Sequence, residues 1–242
     1  MEKMSTEIAT LFQKIPDGSK EYADIKDIFL DDSNMELVED SVSVIKFLNN
    51  SRKALLLIKF KYFLRGLNYE SVEKENINKL IAYVDTQEKA EFITNSFDKI
   101  ISSNSKLSCC IMGLLLNDMT KRKRDITQEE LMILQVLPML NDFDIKNFFY
   151  LYNIVAKRKG KYHNIVSSDI ECCAKKCNTV KKNIYLTIGV LEKYGLIDKE
   201  ADVSLDLDEN NFDMSSVDYD EDVFFNSLSE KLYGYAQVLF LE

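Results

Sequence analysis

Basic and aromatic residues recur at helical spacing near the carboxyl-terminal third of the chain. With about 100° of rotation per residue, the segment 179–194 divides into an apolar face and a polar face. Val180, Ile184, Ile188 and Leu191 gather on the apolar face. Ammonium groups pair with phosphates, and a tyrosine ring stacks or donates a hydrogen bond. The pattern predicts a helix that buries one face and offers the other to DNA through Lys181, Lys182, Tyr185 and Lys193.

The residues that follow this helix favour one type of binding module. Gly195 stands where a helix commonly ends in a left-handed residue, and the apolar pair Leu196-Ile197 follows it. A glycine stop followed by a short apolar run is typical of the reading helix of a winged-helix module. Two other interpretations stay open, because helices commonly have a charged solvent face: a winged helix used for protein contact, or a purely structural one.

A strongly acidic segment comes next. Between residues 200 and 222 the chain has ten acidic residues and no basic residue. This segment is a solvated loop, a negative screen over the basic helix, a docking strip for a basic partner, or a mimic of a phosphate row. An EF-hand is excluded, since Asn211 occupies the position that needs glycine. The residues we assign to partner binding are Asp206, Asp208, Asp218, Asp220 and Asp222.

Two further clusters have ordinary interpretations. Residues 121–124 are four consecutive cations, for which a solvated linker is favoured over a nucleic-acid contact. Cys173 and Cys177 share a helix face beside Cys172, but their spacing with the single histidine, His163, matches no standard zinc pattern. We therefore expect no metal, no cofactor and reduced thiols.

Catalytic motifs do not support an enzyme. The chain has neither a glycine-rich phosphate loop nor a Gly-x-Ser-x-Gly sequence. We therefore expect a non-enzymatic binding protein. A carboxylate-dependent hydrolase or nuclease remains a further alternative, because acids from distant positions can converge in a fold.

Composition and charge distribution agree with a helical binding protein. Seven glycines and two prolines in 242 residues favour helices over a turn-rich β fold. The net charge of −9 argues against general polyanion binding, but the charge is unevenly distributed. Residues 1–144 carry −5, residues 145–199 carry +7, and residues 200–242 carry −11. Only the middle segment has the sign that attracts a nucleic acid.

Start signals and apolar periodicity predict the elements that position these residues. Asp85 and Thr127 each open a capping box, and the apolar run 107–119 predicts a buried helix. A short helix ends near Ile15, and residues 35–67 form one long helix or two. After Asp144 we expect a trihelical unit with a capping box at Ser168, and then short strands near residues 196–197, 203–207 and 223–225. A last helix should start at Ser227.

The succession of residues 88–93, a buried helix, residues 126–130 and residues 141–144 is similar to a group of uncharacterised helical proteins of bacteria and their phages. Some of these resemble abortive-infection or phage-conflict proteins. The resemblance covers roughly residues 40–150 and implies a host–phage setting. It assigns no functional residue.

The sequence therefore predicts a mainly α protein with two domains. Residues 1–142 form a helical domain, and residues 143–242 form a winged-helix-like domain with a short β-wing and an acidic loop at 200–222. A regulatory factor that contacts DNA through the helix 179–194 is the first hypothesis. A protein-interaction factor in phage–host conflict, of defence or anti-defence type, is the alternative. Five cysteines, an odd number, and the lack of a secretory signal pattern at the start of the chain predict a reducing, cytoplasmic setting. We also see no run of apolar residues long enough to span a membrane. The oligomeric state stays open.

Overall fold

The computed structural model describes residues 10–16, 22, 23, 26, 51–67, 75–158, 164–205 and 217–240. The chain divides into two compact units, Met1–Asp142 and Phe143–Glu242. The described part is mainly helical and contains one two-stranded antiparallel sheet. The mainly α prediction is thereby confirmed.

The first unit is an assembly of helices. A helical segment covers residues 10–14, and a 3₁₀ turn at Leu137–Met139 contains Pro138. Among the described residues of this unit, the longer helices are α1 (Ser51–Leu67), α2 (Glu75–Tyr83), α3 (Gln87–Ser102), α4 (Lys106–Arg122) and α5 (Gln128–Val136). Helix α4 is central, with twelve buried residues in its seventeen, as its continuous apolar sequence predicts.

Two glycines allow helices α1 and α4 to cross at very short distance. A Cβ atom added at Gly66 would lie 2.0 Å from the carbonyl oxygen of Cys110. A Cβ atom added at Gly113 would lie 2.2 Å from the carbonyl oxygen of Phe63. Backbone therefore meets backbone at this crossing, and no other residue type fits either position without moving a helix.

Aromatic rings fill the rest of this core. Phe12, Phe60, Phe63 and Phe97 are buried, with ring centroids 5.4–5.8 Å apart in the pairs Phe63–Phe97 and Phe12–Phe60. Stacked and edge-to-face arrangements of this kind stabilise a core beyond the area that they bury. The helical segment at residues 10–14 is held by this cluster.

Capping in the first unit is partly as predicted. Thr127 and Glu130 form the expected capping box at the start of α5. The cap of α3 is Thr86, whose hydroxyl accepts from the Lys89 amide, and not Asp85. Asp85 instead pairs with the Lys89 ammonium at 2.8 Å, one helical turn away.

The basic run at residues 121–124 is not simply a solvated linker. Arg124 donates two hydrogen bonds to the fully buried carboxylate of Glu130, at 2.6 and 2.7 Å, and one to Asp118 at 3.0 Å. These bonds raise the pKa of Arg124. A buried carboxylate needs such a partner, so Arg124 has a structural role. The sequence does not distinguish it from the three cations that precede it.

In the part of the second unit that the structure describes, there are four helices and the sheet. Its elements are α6 (Asp142–Lys157), α7 (Ser167–Cys177), α8 (Lys181–Lys193), β1 (Ile197–Leu205), β2 (Val217–Phe225) and α9 (Ser227–Phe240). The three helices expected between residues 145 and 199 are confirmed. The strands are longer than predicted, at nine residues each, because pairing extends through acidic residues that the apolar pattern assigns to a loop.

A short bridge adds a third chain segment to the sheet. Asn164 pairs with Phe224, and the Ile165 amide donates to the carbonyl of Val223 at 2.6 Å. Phe224 also pairs with Asp198 of β1. Strand β2 therefore lies between β1 and the segment that precedes α7. The order of elements is helix, bridge segment, two helices, hairpin and helix.

The core of this unit lies between α6, the sheet and α9. Tyr152 stacks on Tyr233 with ring centroids 4.3 Å apart and meets Phe225 at 4.9 Å. Phe149 stacks on Phe240 at 4.6 Å. Helix α6 therefore has the last helix on one side and the end of β2 on another.

The starts of α7 and α9 differ from the capping boxes that the sequence predicts. Helix α7 begins at Ser167, and the Asp169 carboxylate accepts from the Val166 amide at 3.0 Å, so the box predicted at Ser168 is displaced. Helix α9 is capped by Asn226, which accepts from the Ser229 amide at 3.2 Å, and not by Ser227.

Several predicted features lie outside the described residues. These are the turn at residues 17–18, the first half of the helix or helices expected at 35–67, His163, and the acidic residues Asp206 and Asp208.

Candidate nucleic-acid interface

Helices α7 and α8 are joined by a three-residue turn. Asn178 adopts a left-handed conformation with φ of 52°, which asparagine tolerates better than most residues. The amides of Asn178 and Thr179 donate to carbonyls of the last turn of α7. Val180 then precedes α8 in an extended conformation, without a side-chain cap. Amide groups at the amino-terminal end of α8 are consequently available to an anion.

Helix α8 has one buried face and one exposed face, as the apolar periodicity predicts. Ile184, Ile188 and Leu191 are buried, which confirms three of the four residues assigned to the core. The helical wheel places Val180 on the same face, but 62% of it is exposed. The wheel fails there because the helix begins at Lys181 and not at Thr179, so Val180 has extended backbone.

The residues predicted to contact DNA are all exposed. Lys182 forms no ion pair with the described residues, and 53% of Tyr185 is accessible. Lys181 is paired with Glu171 of α7, and the ammonium of Lys193 lies 5.3 Å from the ring centroid of Tyr194. Lys182, Tyr185 and Lys193 lie on one side of α8, together with Gly189, where no atom lies within 4 Å of an added Cβ.

A buried polar network fixes α8 on α6, and sequence reasoning missed it. The Thr187 hydroxyl donates to the Asp144 carboxylate at 3.1 Å and accepts from the Asn147 amide at 3.0 Å. All three side chains are at least 93% buried. The signal available in the sequence was a threonine on the apolar face of α8. Because its hydroxyl is satisfied on both sides, this network sets the rotation of α8 about its axis.

Helix α8 ends as its sequence predicts. Gly195 has φ of +71°, its amide donates to the carbonyl of Glu192, and the Leu196 amide donates to that of Leu191. This is the Schellman arrangement, which needs glycine at that position. The side-chain amide of Asn226 then donates to the Gly195 carbonyl at 2.9 Å and to Asp198 at 3.1 Å. The end of α8, the start of β1 and the start of α9 are thus joined by one side chain.

Of the ten acidic residues between positions 200 and 222, six lie in the two strands of the hairpin that follows. The register places Glu200 opposite Asp222, Asp202 opposite Asp220, and Ser204 opposite Asp218. Glu200 and Asp222 are both exposed. Opposed like charges weaken strand pairing. Lys199 is the basic residue of this hairpin, and its ammonium lies 3.0 Å from the Glu192 carboxylate of α8.

The thiols differ in their surroundings, and none of them is placed in a metal site. All five cysteines are free; Cys109, Cys110 and Cys173 are buried, and Cys172 is exposed. Burial raises the pKa of Cys109 to about 12 and that of Cys110 to about 11. In the part of the chain that the structure describes, no three histidine, cysteine or acidic side chains are placed to hold a metal ion.

Over the same residues, no helix combines the length and the apolar character that crossing a bilayer requires. The chain matches no family model, and neither a curated protein nor a solved structure is similar to it.

Proposed function

We propose that the second unit is a winged-helix module that binds duplex DNA, with α8 as the helix that enters the major groove. The observation that carries the proposal is the two-sided character of α8. Its buried face is fixed by Ile184, Thr187 and Leu191, while Lys182 and Tyr185 are exposed. A reading helix needs both properties, because contact with bases requires a fixed orientation.

The order and pairing of the elements support the proposal. A winged helix has a helix, a short strand, two helices and a hairpin whose second strand is central in the sheet. Here α6, the bridge at Asn164, α7, α8 and the strands β1 and β2 follow in that order. Lys175, Lys176 and Lys182 are exposed on α7 and α8 and supply positive charge for phosphates.

The hairpin is negatively charged, whereas the wing of a winged helix that contacts phosphates is positively charged. Glu200 and Asp222 would repel a duplex within a Debye length, about 8 Å at physiological ionic strength. We infer that DNA contact is confined to α7 and α8, and that the acidic hairpin lowers affinity for DNA that the helix does not recognise.

Fluorescence anisotropy with labelled duplexes of random sequence tests the proposal. Lys182→Ala should weaken binding and reduce the slope of log affinity against log salt by roughly 0.9, the value expected when one phosphate is no longer neutralised. Lys193→Ala should act in the same direction. Lys121→Ala is the matched control, because Lys121 is an exposed helical lysine of the first unit. Equal affinities for the unchanged protein, Lys182→Ala, Lys193→Ala and the asparagine variants of the acidic residues would remove DNA binding from consideration.

The acidic residues make a second, independent test. Replacing Asp206, Asp208, Asp218, Asp220 and Asp222 together with asparagine should tighten DNA binding if the hairpin acts as a negative screen. The gain should disappear at high salt, because screening removes the repulsion that the substitutions relieve. Weaker DNA binding after these substitutions would contradict the inferred role of the hairpin.

A protein partner is the second candidate function, and one observation favours it. On and beside the exposed face of α8, Val180 and Leu186 are 62% and 60% exposed. Exposed aliphatic residues beside a tyrosine are suited to protein contact as well as to thymine methyl groups. Leu186→Asp distinguishes the two functions: partner capture that is abolished by Leu186→Asp and retained on Lys182→Ala would favour the protein partner.

A further inference from the structure

Helix α7 holds three thiols with different surroundings. Cys172 is exposed, Cys173 is fully buried, and Cys177 is half-buried as the last residue of the helix. The sulfur atoms of Cys173 and Cys177 lie 3.9 Å apart. The proposed DNA contact does not use this pair. Two thiols in contact, one of them reachable from solvent, can exchange electrons with an oxidant.

The two sulfur atoms are not chemically equal. The hydrogen bond between the two thiols lowers the pKa of Cys177, and the positive charges of Lys146 and Lys176 act in the same direction. The same hydrogen bond and burial raise the pKa of Cys173. Cys177 is therefore the group of the pair that forms a thiolate more readily, and the thiolate is the form that attacks oxidants.

We propose that Cys177 and Cys173 are a peroxide-sensitive pair, in which Cys177 reacts first and Cys173 closes a disulfide within α7. The Cys177 sulfur attacks one oxygen of hydrogen peroxide; an S–O bond forms, the O–O bond breaks, and hydroxide leaves as water after taking up a proton. Peroxide gains two electrons and the sulfur becomes a sulfenic acid. The Cys173 sulfur then attacks that sulfur; an S–S bond forms, the S–O bond breaks, and the Cys173 proton leaves with hydroxide as water.

Closure of this bond must deform the end of α7. Residues four apart on a helix have Cβ atoms about 5–6 Å apart. A disulfide requires about 3.5–4.5 Å. The last turn therefore has to contract, and it continues directly into Asn178 and the turn before α8.

A second contact connects the pair to the orientation of α8. The Cys173 sulfur lies 3.5 Å from the carbonyl oxygen of Asn147, whose side-chain amide donates to Thr187 of α8. A Cys173 sulfur drawn toward Cys177 leaves this carbonyl. Oxidation therefore disturbs the turn that precedes α8 and, through Asn147, the buried network that fixes the orientation of α8.

Mass spectrometry of the full chain tests the proposal. Trypsin cuts after Lys175 and Lys176, so a bond between Cys173 and Cys177 joins two peptides that otherwise separate. The protein is treated with hydrogen peroxide and its remaining thiols are then alkylated. The linked peptide pair should replace the two alkylated peptides, and reduction should convert it back to them. Cys172→Ser should form it normally, and Cys173→Ser should instead retain a sulfenic acid at Cys177 that dimedone traps.

Three results would overturn the proposal. They are a disulfide that uses Cys172, a bond between two chains in place of one within α7, or an alkylated Cys177 after peroxide treatment. Hydrogen exchange adds a readout of structure: oxidation should raise amide exchange over residues 175–183 in Cys172→Ser and leave it unchanged in Cys177→Ser. These measurements use no DNA, so their outcome is independent of the proposed reading helix.

Discussion

Gly66 and Gly113 permit a prediction in which one substitution type has opposite effects at different sites. At the crossing of α1 and α4, an added Cβ would stand 2.0 Å or 2.2 Å from a carbonyl oxygen of the other helix. Real Cβ atoms essentially never approach closer than 3.0 Å, so the helices would have to separate by about 1 Å. A gap of about 0.5–1 Å already forfeits a quarter to a half of the dispersion energy of each contact across it.

The cost of overpacking and the gain in helix propensity together decide whether the substitution stabilises or destabilises the unit. Overpacking a core costs about 1–3 kcal/mol and occasionally more. The upper end applies here, because a carbonyl of a neighbouring helix cannot rotate away as a side chain can. Alanine in place of glycine stabilises a helix interior by about 1 kcal/mol through helix propensity. Gly66→Ala and Gly113→Ala should therefore each destabilise the first unit by about 2 kcal/mol.

The matched controls are Gly189→Ala in α8 and Gly234→Ala in α9, where no atom lies within 4 Å of an added Cβ. There the propensity gain is unopposed, and both changes should stabilise the second unit by about 0.5–1 kcal/mol. Urea unfolding followed by circular dichroism measures all four, with the transitions of the two units fitted separately. A gain in stability at Gly66 or Gly113 would refute the close crossing of α1 and α4.

Three other changes test individual interactions by urea unfolding. Asn226→Ala removes the observed cap of α9 and should cost about 1 kcal/mol, whereas Ser227→Ala should change stability by only a few tenths of that amount. Thr187→Val keeps the shape of the side chain but breaks both hydrogen bonds of the buried network, for an expected destabilisation of about 1–3 kcal/mol. Arg124→Ala leaves the buried carboxylate of Glu130 without its guanidinium partner and should cost about 3 kcal/mol; a cost below that of an exposed ion pair would contradict its structural role.

The sequence predicted the helices well where apolar periodicity and end signals agree. Helix α8 is an example: its buried residues and its end at Gly195 follow from the pattern, because both depend on local spacing. Its predicted start was wrong by two residues, which moved Val180 from the expected core to the surface. Caps were similarly displaced, since several polar residues in succession offer side chains of comparable reach.

Features that depend on the path of the chain between helices could not be predicted from spacing within one helix. Arg124 stands among three other cations, and the turn between α4 and α5 brings Asp118 and Glu130, each six positions away, to its guanidinium. Thr187 forms hydrogen bonds with Asp144 and Asn147, which are 43 and 40 positions away in the chain. The length of the strands was missed because aspartate and glutamate are poor strand formers, and pairing of β1 with β2 overrides that preference here.

Glu200 and Asp222 lie opposite each other across the hairpin. Pairing of the two strands and the proposed contact of α8 with DNA should therefore respond to added salt in opposite directions. Added salt screens the repulsion between these carboxylates, so the two strands pair more tightly as ionic strength rises. Contacts between lysines and phosphates weaken under the same change. If α8 binds DNA as proposed, the two strands should therefore pair most tightly under the conditions in which α8 holds DNA least. A salt titration that follows both strand pairing and DNA affinity will separate folding of the hairpin from binding.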